Sequence, residues 1–187
     1  MGYGGFGILA YDACELSYMG AEYLDAYEYA VKKAKEKGLK LCLYDEWWFP
    51  SGSAGGLLKQ HYPESCAREL IKTEYDVTGM VQLSVPEGTL MAVVAMNMNT
   101  KNIINLHGQI ENKTLKWTAT DDGWKIMFFT CVLSEWDHVN YLDSEAVQKF
   151  IEITHEAYYE RFGEYFGNTI DSSFYDEPQM YAVGGRM

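Results

Sequence analysis

Positive charge is scarce in this chain. Its 187 residues include 15 Lys and Arg against 27 Asp and Glu, a formal net charge of −12. Binding to phosphate backbones or anionic lipid needs clustered basic side chains. The one basic run, between Lys32 and Lys40, alternates with Glu36 on the solvent side of an expected helix. Nucleic acid and membrane surfaces are therefore set aside as partners. No run of 18 apolar residues occurs, so no transmembrane helix is expected. The start, MGYGGFGILAY, lacks a basic n-region and a cleavage site, which reads against a signal peptide. Cysteine and histidine number four each, with no CxxC pair and no zinc spacing. Free, buried thiols are expected, which points to the reducing cytoplasm. No GK[ST] or GxGxxG pattern marks a phosphate loop. Nothing in the spacing calls for a metal or an organic cofactor.

What the chain does have is apolar and aromatic mass. It is 48% hydrophobic, with 15 Tyr and 5 Trp. That supports a real core and excludes disorder. It also exceeds what a core of this size needs, and surplus Tyr and Trp commonly line clefts.

The order of segments suggests βαβ units. GGFGILAY reads as a buried strand ending at Tyr11-Asp12. From Ala21 to Lys37, Tyr23, Leu24, Tyr27, Ala30, Val31 and Ala34 form a helical stripe, and Gly38 is a suitable stop. Leu39–Tyr44 is the next strand, so the two should be parallel. Pro63-Glu64 reads as a helix start, continuing through Ser65–Thr73. From 74 to 133, alternating runs broken by turn signals predict an inserted antiparallel subdomain. Asp143 should cap a long helix with Val147, Phe150, Ile151, Thr154, Tyr158 and Phe162 inward. Thr169–Tyr175 should be a third parallel strand, and Gln179–Met187 reads as loose chain.

Three strands thus end in acids: Asp12, then Asp45-Glu46, then Asp176-Glu177. The second and third are both YDE triplets. Paired carboxylates at strand ends beside Trp47 and Trp48 suit glycoside hydrolysis, in which one acid protonates the leaving oxygen and another attacks or activates water. Tyr and Trp faces suit sugar C–H groups. His61 is the histidine nearest the PSGSAGG loop and is kept as a substrate-binding candidate. His155, beside Thr154 on the long helix, reads as a packed or surface residue.

The segments LYDEWWFPSGSAGG, AYEYAVKKAKEKGLK and NYLDSEAVQKFIEITHEAYYERFGEYFGNTIDSSFYDEP resemble bacterial (β/α)8-barrel glycoside hydrolases, above all the large α-L-rhamnosidase-type proteins and their uncharacterised relatives. The resemblance implies an α/β fold, a partial TIM-type barrel spanning 1–73 and 134–187, interrupted by the antiparallel insertion at 74–133. It implies Glu177 as general acid/base, with a raised pKa. It implies Asp45 and Glu46 as groups that hold hydroxyls or share in catalysis. Asp12, Trp47, Trp48, Ser51, Asp176 and His61 would line the substrate, an oligosaccharide or glycoside. A full barrel takes about 250 residues, so the strands carrying a second catalytic carboxylate are not expected in this chain. A fragment, a truncated product or a half-barrel closed by a second copy would each fit, and a homodimer or another cover over the open barrel edge is expected. The alternative is a non-catalytic carbohydrate-binding or assembly module.

Overall fold

A computed structural model describes residues 2–11, 14–47 and 49–178. The chain forms two compact units, Met1–Ala67 with Ser134–Met187, and Arg68–Leu133.

The first unit is built on a three-stranded parallel sheet. Strands β1 (Gly5–Gly7), β2 (Lys40–Tyr44) and β10 (Ile170–Phe174) are ordered β1-β2-β10. Both pairings are parallel, with Gly7 opposite Cys42 and Phe174 opposite Tyr44. Parallel strands need crossovers, and helices supply them. Helix α1 (Ala21–Lys37) joins β1 to β2, and its Tyr23, Tyr27, Val31 and Ala34 are buried as the stripe required. It ends where Gly38 takes φ 66°, donating its N–H to the carbonyls of Ala34 and Lys35. After β2 a short helix α2 (Leu57–His61) follows. The last helical stretch runs from α3 (Ser144–Ile151) through a π-helical turn (Glu152–Glu156) into α4 (Ala157–Phe162). Asp143 caps it, accepting the Glu145 N–H at 3.0 Å. Alternation along β2 sends Leu41 and Leu43 into a core with Tyr27, Val31, Phe150, Tyr158 and Phe162. Burying each such side chain contributes about 1.5–3 kcal/mol. The hydroxyls of Tyr23 and Tyr158 meet at 2.8 Å inside that core.

The second unit is antiparallel. Strands β3 (Arg68–Val77), β5 (Thr89–Asn97), β6 (Ile103–Asn105) and β9 (Trp124–Leu133) form one sheet in the order β3-β9-β5-β6. Strands β4 (Met80–Ser84), β7 (Ile110–Glu111) and β8 (Thr114–Thr118) form another, ordered β4-β8-β7. Val93, Ala95, Ile126 and Phe128 from the first sheet and Leu115 from the second share one core.

Two expectations are overturned. The partial TIM-type (β/α) barrel is not formed. Among the described residues only three short strands pair in parallel, while the remaining strands spend their hydrogen bonds on two antiparallel sheets. Barrel closure needs eight parallel strands with a common stagger. The fold is a mixed α/β one without a barrel. The helix expected over Ser65–Thr73 is also absent. Pro63–Ser65 makes a single 3₁₀ turn, and Arg68 onward is β3, paired residue for residue with β9 from Arg68–Leu133 to Val77–Trp124. The antiparallel unit therefore begins at Arg68 rather than at 74. A ten-residue ladder against β9 outweighs the weak helical preference of RELIKT.

Candidate functional site

Parallel pairing places the carboxyl ends of β1, β2 and β10 along one edge of the sheet. The loop after β2 then draws two of them together. Ser51 is fully buried, and its hydroxyl donates to Asp45 Oδ1 at 2.6 Å. The same oxygen accepts the Asp176 backbone N–H at 2.9 Å. Ser51 N–H in turn donates to the Asp176 carbonyl at 3.0 Å. One serine thus links the Asp45 side chain to the backbone at the end of β10. The two YDE triplets meet through it.

Asp45 and Glu46 are each only 1% exposed, yet their surroundings differ. Asp45 has the Ser51 hydroxyl on Oδ1 and His155 Nε2 3.4 Å from Oδ2, an ion-pair separation whenever the imidazole is protonated. Glu46 has less. Its Oε2 lies 3.2 Å from Ser51 Oγ, and its Oε1 is buried without a hydrogen-bond partner. A serine hydroxyl has one proton and two lone pairs. That proton is shared unequally, with Asp45 at 2.6 Å taking the closer contact and Glu46 at 3.2 Å the weaker one. Burial pushes the Glu46 carboxyl up to about 7, the charges of Asp176 and Asp45 add to the rise, and the Ser51 hydroxyl opposes it. This is the pattern by which buried carboxyls come to carry a proton near neutrality.

Tyr141 braces the loop from the segment before α3, donating its hydroxyl to the Ser51 carbonyl at 2.8 Å. Burial, the neighbouring Tyr175 hydroxyl and the two carboxyls hold its phenol far above the usual tyrosine range. Gly52 fits beneath it because it has no side chain. Its φ is 117°, and a Cβ there would come within 2.3 Å of the Tyr141 hydroxyl.

The remaining expected residues divide. Trp47 is part of the core packing, bridged by its backbone to Ala10 and edge-on to Tyr18 at 5.7 Å. Asp176 is half-buried and engaged through its backbone, while Glu177 is exposed with φ 37°. Glu46, two residues beyond β2, is a buried carboxyl whose setting suits proton donation. His61 is exposed on α2 with its ring against Tyr62, and the structure does not bring it to the carboxylates. Asp12 and Trp48 lie outside the described residues.

Sequence reasoning missed His155 and Tyr141. The π-helical turn carries His155, and such turns mark functional positions more often than regular helix does. Nothing in EITHE distinguishes that turn from helix, and nothing marked Tyr141. Among the described residues no group of three or more His, Cys, Asp or Glu is placed to hold a metal ion. No helix among them is long and apolar enough to cross a membrane.

Comparison with known proteins adds no family. A scan against family models found no match, and searches of curated proteins and of solved structures found none either.

Proposed function

We propose that the chain is a glycoside hydrolase-like domain that acts on or binds carbohydrate through carboxyl acid/base chemistry at the ends of β2 and β10. In this reading Glu46 is the proton carrier and Asp45, fixed by Ser51, is its acceptor neighbour. The observation that carries it is the divided pair: two adjacent carboxyls, equally buried, one with Ser51 and His155 beside it and one left with an unpaired oxygen and an affinity for protons near neutral pH. Pairs whose environments push their proton affinities apart are the mark of acid/base sites. The motif likeness to bacterial glycoside hydrolases supplies the substrate class. Glu46 is only 1% exposed, so access of a substrate to its carboxyl by opening of the surrounding chain belongs to the proposal. The test is hydrolysis of a panel of aryl glycosides beside calorimetry with oligosaccharides, on the wild type and Glu46→Gln. Turnover that Glu46→Gln abolishes, with binding kept, supports catalysis. Binding without turnover supports a non-catalytic carbohydrate-binding module. Neither binding nor turnover rejects both.

A second reading has its own observation. Ser51 bonds two strand ends at once and is fully buried. A purely structural latch would show the same bonds, and then Glu46→Gln would change stability alone.

A further inference from the structure

His155 reaches the carboxyl pair from the helix that precedes β10, not from the β2 loop. It stands on the π-helical turn Glu152–Glu156, where Thr154 Oγ1 donates to the Phe150 carbonyl at 2.7 Å. Such a turn closes its bonds from residue i to i+5, which resets the direction of the side chains it carries. The Phe150 ring is 3% exposed and meets the imidazole edge-on, with centroids 6.0 Å apart. Nε2 of His155 lies 3.4 Å from Asp45 Oδ2, while the side chain keeps 36% of its surface in solvent.

Two adjacent buried carboxyls do not both ionise cheaply, so their surroundings decide which one keeps a proton. Ser51 decides only in part, because its one proton leans on both, at 2.6 and 3.2 Å. The other titratable groups near the pair bring no positive charge. Tyr18, Tyr141 and Tyr175 act on Asp45 or are acted on by it, and Asp176 acts on Glu46. On the π-helical turn itself, Glu152 is paired with Lys149 at 2.8 Å and Glu156 is exposed. Among the described residues, His155 alone brings a cation-forming side chain to ion-pair distance of either carboxyl, and it does so for Asp45. A neutral imidazole with its proton on Nε2 acts in the same direction, as a donor.

We propose that His155 is the positioning residue of the carboxyl pair: its imidazole holds Asp45 as the carboxylate and so leaves the pair's proton on Glu46. A cation beside a carboxylate favours the ionised form, and that ion strengthens its neighbour's hold on a proton. The role deepens the acid/base reading above and rests on it for its part in catalysis. The placement of the proton is read with no substrate present.

The test follows both side-chain carboxyls of the full chain by carbon-13 NMR across the acid and neutral range, with signals assigned through Asp45→Asn and Glu46→Gln. His155→Leu removes charge and donor together at a partly exposed helical position. His155→Gln keeps an N–H donor without the charge. In the wild type, Asp45 is expected to ionise before Glu46 as pH rises. In His155→Leu the two midpoints should come about one pH unit closer, a roughly tenfold change in relative proton affinity, because Asp45 gains more hold on its proton than Glu46 does. His155→Gln should fall between the two. A gap as wide in His155→Leu as in the wild type, or wider, overturns the proposal. A wild type in which Glu46 ionises first overturns it together with the assignment of the proton to Glu46. Failure of the oligosaccharide and glycoside assays would reject the carbohydrate reading and leave the titration result standing.

Discussion

Replacing Glu46 by Gln isolates the central electrostatic feature, because the amide is nearly isosteric and never ionises. Burial moves the Glu46 carboxyl from 4.5 to about 7. The folded state therefore holds this proton more tightly than the unfolded state does. Below about 4.5 both states are protonated and the shift costs nothing. As pH rises toward 7 the unfolded chain releases the proton first, and stability falls. Above 7 the full cost of a buried carboxylate is present. At about 1.4 kcal/mol per tenfold change in proton affinity, the ceiling is roughly 3 kcal/mol. Screening by solvent at the sheet edge and sharing of charge with Asp45 lower the expected value to about 1–2 kcal/mol. The amide also leaves its own buried donors unpaired, which adds a cost that does not depend on pH. The readout is thus a slope. Urea unfolding of wild type and Glu46→Gln from pH 5 to 8 should show the variant gaining about 1–2 kcal/mol relative to wild type, levelling off above pH 7. A stability difference constant across that range would refute the assignment of the raised pKa to Glu46.

Other substitutions test the scaffold around the pair. Ser51→Ala removes the Asp45 bond and strips the Asp176 N–H of its acceptor, so chemical unfolding should show a loss of about 1–3 kcal/mol. Gly52→Ala should destabilise by more than about 1 kcal/mol, from positive φ and collision with Tyr141 together. Tyr141→Phe in that background should return part of the loss in thermal denaturation, and no recovery would remove the collision from the explanation. Asp143→Ala should cost about 0.5–2 kcal/mol through the lost helix cap, read as a lower melting temperature.

How much was legible depended on the range of the signal. The α1 stripe and the Gly38 stop are local, and the helix runs from Ala21 to Lys37 as its spacing requires. The parallel β1–β2 pair followed from one helix between two apolar runs. Strand β3 did not, because Leu70, Ile71 and Thr73 serve a helix or a strand equally well and only β9, some sixty residues on, decides between them. The barrel expectation failed for a related reason. Motifs such as YDE and PSGSAGG specify strand ends and a loop, whereas closure is a property of the whole sheet. Within the site, adjacency in sequence revealed Asp45 and Glu46. Their different surroundings were hidden, since Ser51, Tyr141 and His155 reach them only through the folded loop and the π-helical turn. Glu177 has the same triplet context as Glu46 but ends exposed at the end of β10, and no sequence pattern separates the two.

The most direct measurement is a titration of the Glu46 side-chain carboxyl by carbon-13 NMR, with its signal assigned by its disappearance in Glu46→Gln. A proton that leaves near pH 7 is the result predicted by the buried, half-unpaired carboxyl. A midpoint near 4.5 would contradict it and leave the pair as a structural latch.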